Sequence, residues 1–286
     1  MYRITTDSVV DLTPERMQEL DVTFASLSVH IGDTAFPDDM RPETIATLMQ
    51  AMREGKIATT SQVTEQGFLN LWTPILEAGE DVLYIGLSSA LSGTVNSAHI
   101  ARQELLSRFT ERKILIVDSL GASSGESILL QEAVDMKNTG TALETCYKKL
   151  EQLTNSLQQW FTLADLTYAR RGGRVSGAAA AVASLLHIKP VLTIGPDGKI
   201  TTREKIKGRR GAIKRMYEIL CEKIDLAYRY VHITQVECLE EASNLAKNIQ
   251  ERFPELLVRI YTVGGVIGAH GGPGTLTLSF IGKGVR

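Results

Sequence analysis

Short apolar runs alternate along the chain with longer amphipathic stretches, and this alternation predicts an α/β fold. Strand-like runs occupy residues 2–6, 82–86 and 113–118, and helical spacing of apolar residues separates them. Two helices are predicted to begin where proline occupies the first turn, at Pro14 and Pro42. Because strands that alternate with helices form parallel sheets, the first half of the chain should contain a mostly parallel sheet.

The second half of the chain predicts a mixed sheet. A helix over 143–157 is followed by a strand that begins at Trp160, so we place a domain boundary close to Gln159. Residues 1–159 would form an N-terminal α/β domain and residues 160–286 a C-terminal one. The turn Gly195-Pro196-Asp197-Gly198 predicts a hairpin between strands at 188–194 and 199–206. The remaining elements expected here are helices at 176–186, 209–223 and 239–253 and strands at 228–234 and 257–263.

The composition is typical of a water-soluble globular protein. The chain has 286 residues, 43% of them hydrophobic and 22% charged, with a formal net charge of −2. No global field or aromatic–basic pattern argues for nucleic acid. The first residues read as a strand rather than a signal peptide, and the longest apolar stretch, 177–186, is too short to cross a bilayer, so we expect a cytoplasmic protein. Cys146, Cys221 and Cys238 lack metal-binding spacing, which predicts free thiols, no metal site and no cofactor.

One imidazole, His270, lies in a glycine-rich segment over 264–274 that is predicted to be a loop leading into a strand. Glycines allow positive φ and close approach of a ligand, so the segment indicates a site around a titratable group. A turn with an incidental histidine explains the same residues.

Small hydroxyl residues form two further groups. Residues 87–94, Leu-Ser-Ser-Ala-Leu-Ser-Gly-Thr, join a predicted strand to a helix that begins at Val95. Free N–H groups and hydroxyls at such a helix N-terminus attract a carboxylate or a phosphate. The second group, Thr59-Thr60-Ser61-Gln62, follows a helix that ends near Gly55 and by itself is explained by an N-cap.

Basic residues are concentrated at 170–174 and 199–215. The second segment contains a single acid, Glu204. A solvated helix face explains such a run, and so does a surface that meets phosphate or an acidic partner.

Seven short motifs are distributed along nearly the whole chain. They are Thr6-Asp7-Ser8 with Asp11-Leu12, Thr60-Ser61-Gln62, residues 87–94, Val117-Asp118-Ser119, Gly172-Gly173-Arg174, Ile188-Lys189-Pro190, and His270 with Gly272-Pro273-Gly274. In the order and spacing of these motifs, rather than in any single one, the chain resembles the DegV family of bacterial fatty-acid-binding proteins, which act as FakB-type subunits of fatty acid kinase.

The resemblance implies a two-domain α/β protein that holds one long-chain fatty acid between its domains and presents the carboxylate to a separate, ATP-using kinase subunit. The chain itself shows no P-loop and no kinase signature, so it would be a lipid-binding subunit rather than an enzyme. Its partners would be the fatty acid and the kinase subunit. A transient contact with a membrane surface is a further expectation.

The resemblance also assigns roles to residues. Thr60 and Ser92 would hydrogen-bond the carboxylate, with Ser61 as an alternative to Thr60 and Gly93 beside Ser92. His270 would lie next to the carboxylate and assist phosphoryl transfer. The residues expected to contact the phosphate or the kinase are Arg174, Lys207 and Arg209.

Three positions depart from the family pattern. Gly265 stands where proline is common and Gly271 where threonine is frequent, which should loosen the predicted loop. Lys207 stands where arginine is frequent, and lysine cannot make a planar bidentate contact, so Arg209 is the expected substitute.

Two other functions fit parts of the sequence. Gly121-Ala122-Ser123-Ser124-Gly125 matches G-x-S-x-G between a strand and a helix, which makes a serine hydrolase using Ser123 and His270 an alternative function. No oxyanion loop of the HGG type precedes Ser123, however, and five small residues match the motif easily by chance. A passive lipid-binding regulatory module would use the same pocket without a kinase.

Overall fold

A computed structural model describes residues 1–175 and 188–286. In residues 1–175 the strands are β1 (Tyr2–Asp7), β2 (Thr23–Ala25), β3 (Ser28–Ile31), β4 (Thr34–Pro37), β5 (Ala58–Ser61), β6 (Asp81–Gly86), β7 (Ile114–Asp118) and β8 (Leu157–Thr162). The helices there are α1 (Pro14–Glu19), α2 (Pro42–Arg53), α3 (Glu65–Glu77), α4 (Thr94–Arg108), α5 (Ser124–Asn138), α6 (Leu143–Ser156) and α7 (Thr167–Arg171). Residues 188–286 form β9 (Ile188–Ile194), β10 (Ile200–Lys207), α8 (Arg209–Lys223), β11 (Tyr230–Gln235), α9 (Leu239–Arg252), β12 (Leu257–Thr262), α10 (Gly265–Gly271) and β13 (Leu276–Ile281). The helix predicted at 176–186 lies outside the described residues.

The predicted parallel sheet is confirmed as four strands in the order β2-β1-β6-β7. Its central strand β6 is apolar on both faces. Val82 and Tyr84 pack in a core with α3 and α4, whereas Leu83 and Ile85 pack in another with α5 and α6. Because helices cover both faces, the strand reads as a continuous apolar run rather than an alternating one.

The predicted mixed sheet is also confirmed. Its order is β10-β9-β8-β13-β11-β12, with β11 and β12 parallel and the other neighbours antiparallel. On β13, Leu276, Leu278 and Phe280 pack into a core with α8 and α9. The alternate residues, Thr277 and Ser279, therefore face the opposite side of the sheet.

The hairpin between β9 and β10 forms where the sequence predicted it. The Gly195 N–H donates to the Lys199 carbonyl at 2.8 Å. Gly198 has φ of 73°, a conformation that favours glycine.

A small antiparallel sheet, β4-β3-β5, was not predicted. It corrects the interpretation of Thr59 to Gln62 as an N-cap, because β5 contains Thr60 and Ser61. Thr64 caps the following helix instead, accepting the Gly67 N–H at 3.2 Å. These strands have four residues each and mix polar with apolar side chains, so their pairing with distant residues leaves little signal in the local pattern.

The prediction of a loop around His270 is wrong, because residues Gly265–Gly271 form the short helix α10. The Asp38 carboxylate accepts the N–H groups of Gly265 and Val266 at 3.0 and 2.9 Å. This side chain satisfies donors that a helix start leaves free. The helix ends at Gly271, and the C-cap residue Gly272 has φ of 71°.

None of the helices in the described parts of the chain is both long enough and apolar enough to cross a membrane.

Candidate functional site

A cavity of about 320 Å³ lies between the parallel sheet and the mixed sheet. This volume falls in the range of roughly 300–1,000 Å³ common for small-molecule sites. Most of its lining is apolar and comes from both halves of the chain, including Leu27, Leu87, Leu91, Phe161, Leu163 and Ile194. Such a cavity suits a ligand with a long apolar part.

One end of the cavity carries hydrogen-bonding groups, and we call it the polar end. It is formed by Thr60, Ser92, Gly93, Arg174 and His270, all of which line the cavity. Thr60 comes from β5, Ser92 and Gly93 from the start of α4, Arg174 from the residues after α7, and His270 from α10. The fold therefore brings together residues that are far apart in the sequence.

His270 is fixed by Thr60 on one side and by the backbone after α7 on the other. Its Nε2 lies 2.9 Å from Oγ1 of Thr60. Its Nδ1 is buried and has no hydrogen-bond partner among the described residues. Gly172 packs so close to Nδ1 that a Cβ at this position would overlap the ring. Glycine is therefore required at residue 172 for the ring to lie where it does.

Burial lowers the pKa of His270 to about 4, and the positive charge of Arg174 acts in the same direction. The imidazole is therefore neutral at pH 7 and offers one donor and one acceptor. With Nδ1 as the unprotonated nitrogen, Nε2–H donates to Thr60. The Thr60 hydroxyl then keeps its own proton for a group in the cavity.

The start of α4 brings hydroxyl groups and backbone to the polar end. Ser92 Oγ lies 2.9 Å from Oγ1 of Thr94 and accepts the Thr94 N–H at 3.3 Å. Gly93 is the N-cap residue of the helix, and Gln62 packs against its Cα, where a side chain would collide. The helix dipole adds positive potential at this point, so the arrangement favours an anion.

Arg174 is the cationic residue of the polar end. Its Nε donates to the Leu91 carbonyl at 3.2 Å and its Nη1 to the Gly172 carbonyl at 2.5 Å. The side chain is exposed, so the guanidinium lies where the cavity meets solvent.

The other predicted site residues are placed differently. Ser61 lines the cavity, but its hydroxyl lies 2.8 Å from Nε2 of His30. Lys207 and Arg209 do not line the cavity. Lys207 is exposed, and Arg209 is held by Glu241, with Nη2 at 2.7 Å from Oε2. Arg209 is therefore already paired within the protein.

Two of the departures from the family pattern have a structural role. The Gly265 N–H donates to Asp38, a bond that proline could not make. Gly271 packs against Thr275, leaving no space for a Cβ without a shift. The expected loosening of a loop is thus wrong, because both glycines belong to a capped helix.

Sequence reasoning missed the two carboxylates that hold α10. Asp38 caps the helix, and Asp11 Oδ1 accepts the Gly264 N–H at 2.8 Å. Burial raises the pKa of both carboxyl groups. Asp11 belongs to a motif quoted above, but its partner is 253 residues away in the chain, so the contact has no local signal.

Ser123 has the strained backbone conformation expected of a catalytic serine in a strand-to-helix turn, but it has no hydrogen bond to His270. It lies between β7 and α5 with φ of 56° and ψ of −127°. Its Oγ lies 2.8 Å from Oγ1 of Thr234, while His270 bonds Thr60. No hydrogen bond joins Ser123 to His270 within residues 1–175 and 188–286, so the two do not form a nucleophile and its base.

The same described stretches contain no group of three or more His, Cys, Asp or Glu side chains arranged to hold a metal ion.

Comparisons with a family model and with known proteins point to the same family. A family model described as "Uncharacterised protein, DegV family" matches residues 1–283. A DegV domain-containing protein of Clostridium perfringens is 36% identical over 283 residues, covering 98% of this chain and 97% of its own.

Solved structures share the fold over nearly the full length. A DegV family protein from Thermus thermophilus, described as binding fatty acid, superposes with a TM-score of 0.88 at 27% identity, covering 98% of this chain and 99% of that one. The fatty acid kinase B3 protein of Streptococcus pneumoniae, loaded with linoleic acid, has a TM-score of 0.85 and covers 98% of this chain and 99% of its own. At 21% identity, that second likeness concerns the fold alone.

Proposed function

This chain belongs to the DegV family, and from that premise we propose that it binds one long-chain fatty acid in the cavity and presents the carboxylate at the polar end to a separate ATP-dependent kinase. The observation that carries the proposal is the His270–Thr60 pair at one end of a cavity whose lining is mostly apolar. A fatty acid requires a site for its carboxylate next to an apolar cavity for its tail, and this cavity offers both.

In this proposal the carboxylate accepts the hydroxyl protons of Thr60 and Ser92, close to the start of α4. Hydrogen bonds to a charged acceptor contribute more than neutral ones, roughly 1.5–3 kcal/mol each. Burial of ~10 methylenes at ~0.8 kcal/mol each would add roughly 8 kcal/mol before the cost of ordering the chain. The tail thus supplies most of the affinity and the polar end fixes the orientation.

His270 would act as a neutral neighbour of the carboxylate as negative charge moves to the transferred phosphoryl group. Arg174, at the cavity rim, would meet that phosphoryl group or an acidic surface of the kinase. Lys207 and Arg209 lie away from the cavity, so their proposed role is confined to kinase docking, and Arg209 would act there together with Glu241.

We also propose the two-domain division, at about residue 159, with the ligand between the domains. Gln159 lies inside β8, so the first residues of that strand belong to the C-terminal sheet. The cytosol is the proposed compartment, because the three cysteines are free thiols, and a transient contact with a membrane surface would supply the lipid.

Mass spectrometry of an organic extract from the purified protein tests the lipid-binding part. We expect a stoichiometric long-chain fatty acid. A lipid-free extract, together with no binding of added palmitate or oleate, would contradict it.

Reconstitution with a fatty acid kinase subunit and ATP tests the second part. We expect acyl phosphate only when both proteins are present. Lys207→Glu should slow association with the kinase in a salt-dependent way, whereas Lys247→Glu, an exposed lysine on α9, should not. Lipid binding without acyl phosphate would favour the passive module.

A further inference from the structure

The cavity runs along one face of the mixed sheet and ends at a single pair of residues. Phe161 and Gln159 line it from β8, and Ser279, which is paired with Gln159, lines it from β13. The next pair on the same face, Leu157 and Ile281, is buried instead in the core that packs against α5 and α6. We call the pair of Gln159 and Ser279 the closed end of the cavity.

The closed end lies away from the polar end. Thr275 lines the cavity and packs against Gly271, the neighbour of His270, and β13 leads from there to Ser279. Four residues of extended strand span roughly 13 Å. A ligand whose carboxylate binds at the polar end would therefore direct its tail towards Gln159.

The side chain of Gln159 is lodged between two glycines, Gly121 and Gly125, and we call this space the socket. A Cβ on either glycine would overlap the amide group. Nε2 of Gln159 donates to the Ala122 carbonyl at 2.6 Å, and Oε1 is buried against Gly121. The two glycines are those of the G-x-S-x-G match, so the socket explains why both positions lack a side chain.

The socket encloses both polar atoms of the amide. Gln159 lines the cavity although it is only 4% exposed, so the aliphatic part of its side chain is what a tail would meet. The Ala122 carbonyl also accepts the Gly125 N–H at 3.0 Å, and it would keep this partner without the amide. A shorter side chain at residue 159 would therefore open the socket to the tail.

We propose that Gln159 sets the depth of the cavity and thereby limits the length of the acyl chain that this protein binds, with Gly121 and Gly125 holding its side chain in place. This inference rests on the proposed lipid-binding function. It assigns Gln159 as a specificity-determining residue that acts through its volume and makes no hydrogen bond to the ligand.

The affinities of a series of saturated, even-numbered fatty acids from laurate to behenate measure the depth of the cavity. Displacement of a fluorescent fatty acid from the delipidated protein gives each affinity. Each pair of methylenes that the cavity buries should raise the affinity by about tenfold, whereas a pair that does not fit adds nothing. We call the acid at which the rise stops the limiting length. A rise that continues unbroken to behenate in the wild-type protein would overturn the proposal.

Gln159→Ala should move the limiting length to a longer acid by at least one member of the series, because it opens the socket. Gln159→Met is the matched control, since it fills the socket with a side chain of similar length and should leave the limiting length unchanged. An unchanged limiting length in Gln159→Ala would overturn the proposal. An equal shift in both variants would also overturn it, because the effect would then come from the lost amide and not from volume.

Gly125→Ala should move the limiting length in the opposite direction, to a shorter acid. The new Cβ would displace the Gln159 amide from the socket towards the cavity. Gly125 lies in the first turn of α5 without positive φ, so alanine adds no backbone strain. Gly67→Ala, in the first turn of α3, is the matched control and should leave the limiting length unchanged. A Gly125→Ala protein with the limiting length of the wild type would show that the socket does not hold Gln159.

The two changes also separate the causes of failure. If Gln159→Ala unfolds, Gly125→Ala tests the proposal alone, because it keeps the glutamine. If the wild-type protein binds none of the acids, the proposed lipid-binding function itself fails. A limiting length that neither Gln159→Ala nor Gly125→Ala changes refutes only this inference.

Discussion

Nε2 of His270 lies 2.9 Å from Oγ1 of Thr60, and this contact joins residues 210 positions apart. His270 belongs to α10 and Thr60 to β5, so the bond links the mixed-sheet half of the chain to the small antiparallel sheet. Because burial keeps the imidazole neutral, the bond orders both side chains without adding a charge. In the tautomer that carries the proton on Nε2, the Thr60 hydroxyl accepts from His270 and keeps its own proton for a group in the cavity.

Thr60→Val should weaken fatty-acid binding by roughly tenfold or more, since it removes a donor to a charged acceptor at little change in shape. The matched control is Thr59→Val on the same strand. Thr59 is exposed and points to the opposite face of the sheet from Thr60. The affinity of the Thr59→Val protein for fatty acid should therefore stay within about twofold of the wild-type value. Titration of both variants with palmitate distinguishes them, and equal losses would remove the carboxylate role from Thr60.

Ser92→Ala should weaken binding of an unsubstituted fatty acid more than Ser123→Ala does. Ser92 lies at the start of α4, where the carboxylate is proposed to bind, whereas Ser123 lies at the start of α5 and contacts Thr234. Loss of the Ser92 donor should cost about 1.5–3 kcal/mol of binding free energy. Calorimetric titration with palmitate measures both, and comparable affinities would mean that the carboxylate lies elsewhere.

The sheets of the two halves could be predicted because their signals are local. The strand β6 and the hairpin at Gly195 to Gly198 are set by apolar runs and turn residues that neighbour one another in sequence. The helix α10 could not be predicted in this way. Its start depends on Asp38, which is 227 residues from Gly265, and glycines at this density have low helix propensity.

The members of the candidate site could be named from motifs, but their arrangement could not. Thr60, Ser92 and His270 were expected at one site and all line the cavity, although the neutral state of the imidazole comes from burial that no motif encodes. Gln159 carries no motif signal at all. Its position depends on the pairing of β8 with β13 and on the Ala122 carbonyl.

Gly172→Ala should displace the His270 ring and weaken lipid binding, although residue 172 would not touch the lipid. The backbone at Gly172 has φ of −71°, so alanine introduces no backbone strain, and the effect must come from overlap with the ring. Arg171→Ala, at the exposed neighbouring residue, is the control. A crystal structure and a palmitate titration of each variant measure the effect, and a Gly172→Ala protein that binds like the control would contradict it.

The imidazoles of His270 and His232 should stay neutral as the pH falls from about 7.5 to about 5. Burial lowers the pKa of His270 to about 4 and that of His232 to about 3. Each group's contribution to stability is complete above the ordinary histidine pKa of about 6.5 and is lost as the pH falls toward the folded value. Asp7 affects stability in the opposite direction, because burial raises the pKa of its carboxyl group to about 6. At neutral pH the buried charged carboxylate lowers the stability of the folded protein, and protonation on acidification removes this unfavourable contribution.

NMR of the ring carbons measures these pKa values directly. Loss of one signal in His270→Ala assigns that residue. A midpoint for His270 close to 6.5 would show that the ring is solvated and would remove the argument for a neutral imidazole at the polar end.

His270→Ala should reduce kinase-dependent acyl-phosphate formation by more than it reduces lipid binding. The ring positions Thr60 in the ground state, which affects binding, and it also lies where charge develops during transfer, which affects only the rate. Thr60→Val removes the first effect and keeps the imidazole, so it is the matched comparison. Acyl-phosphate production at saturating lipid, measured alongside palmitate affinity, separates the two. If His270→Ala and Thr60→Val lose binding and turnover in the same proportion, the histidine acts only through Thr60 and has no part in the transfer step.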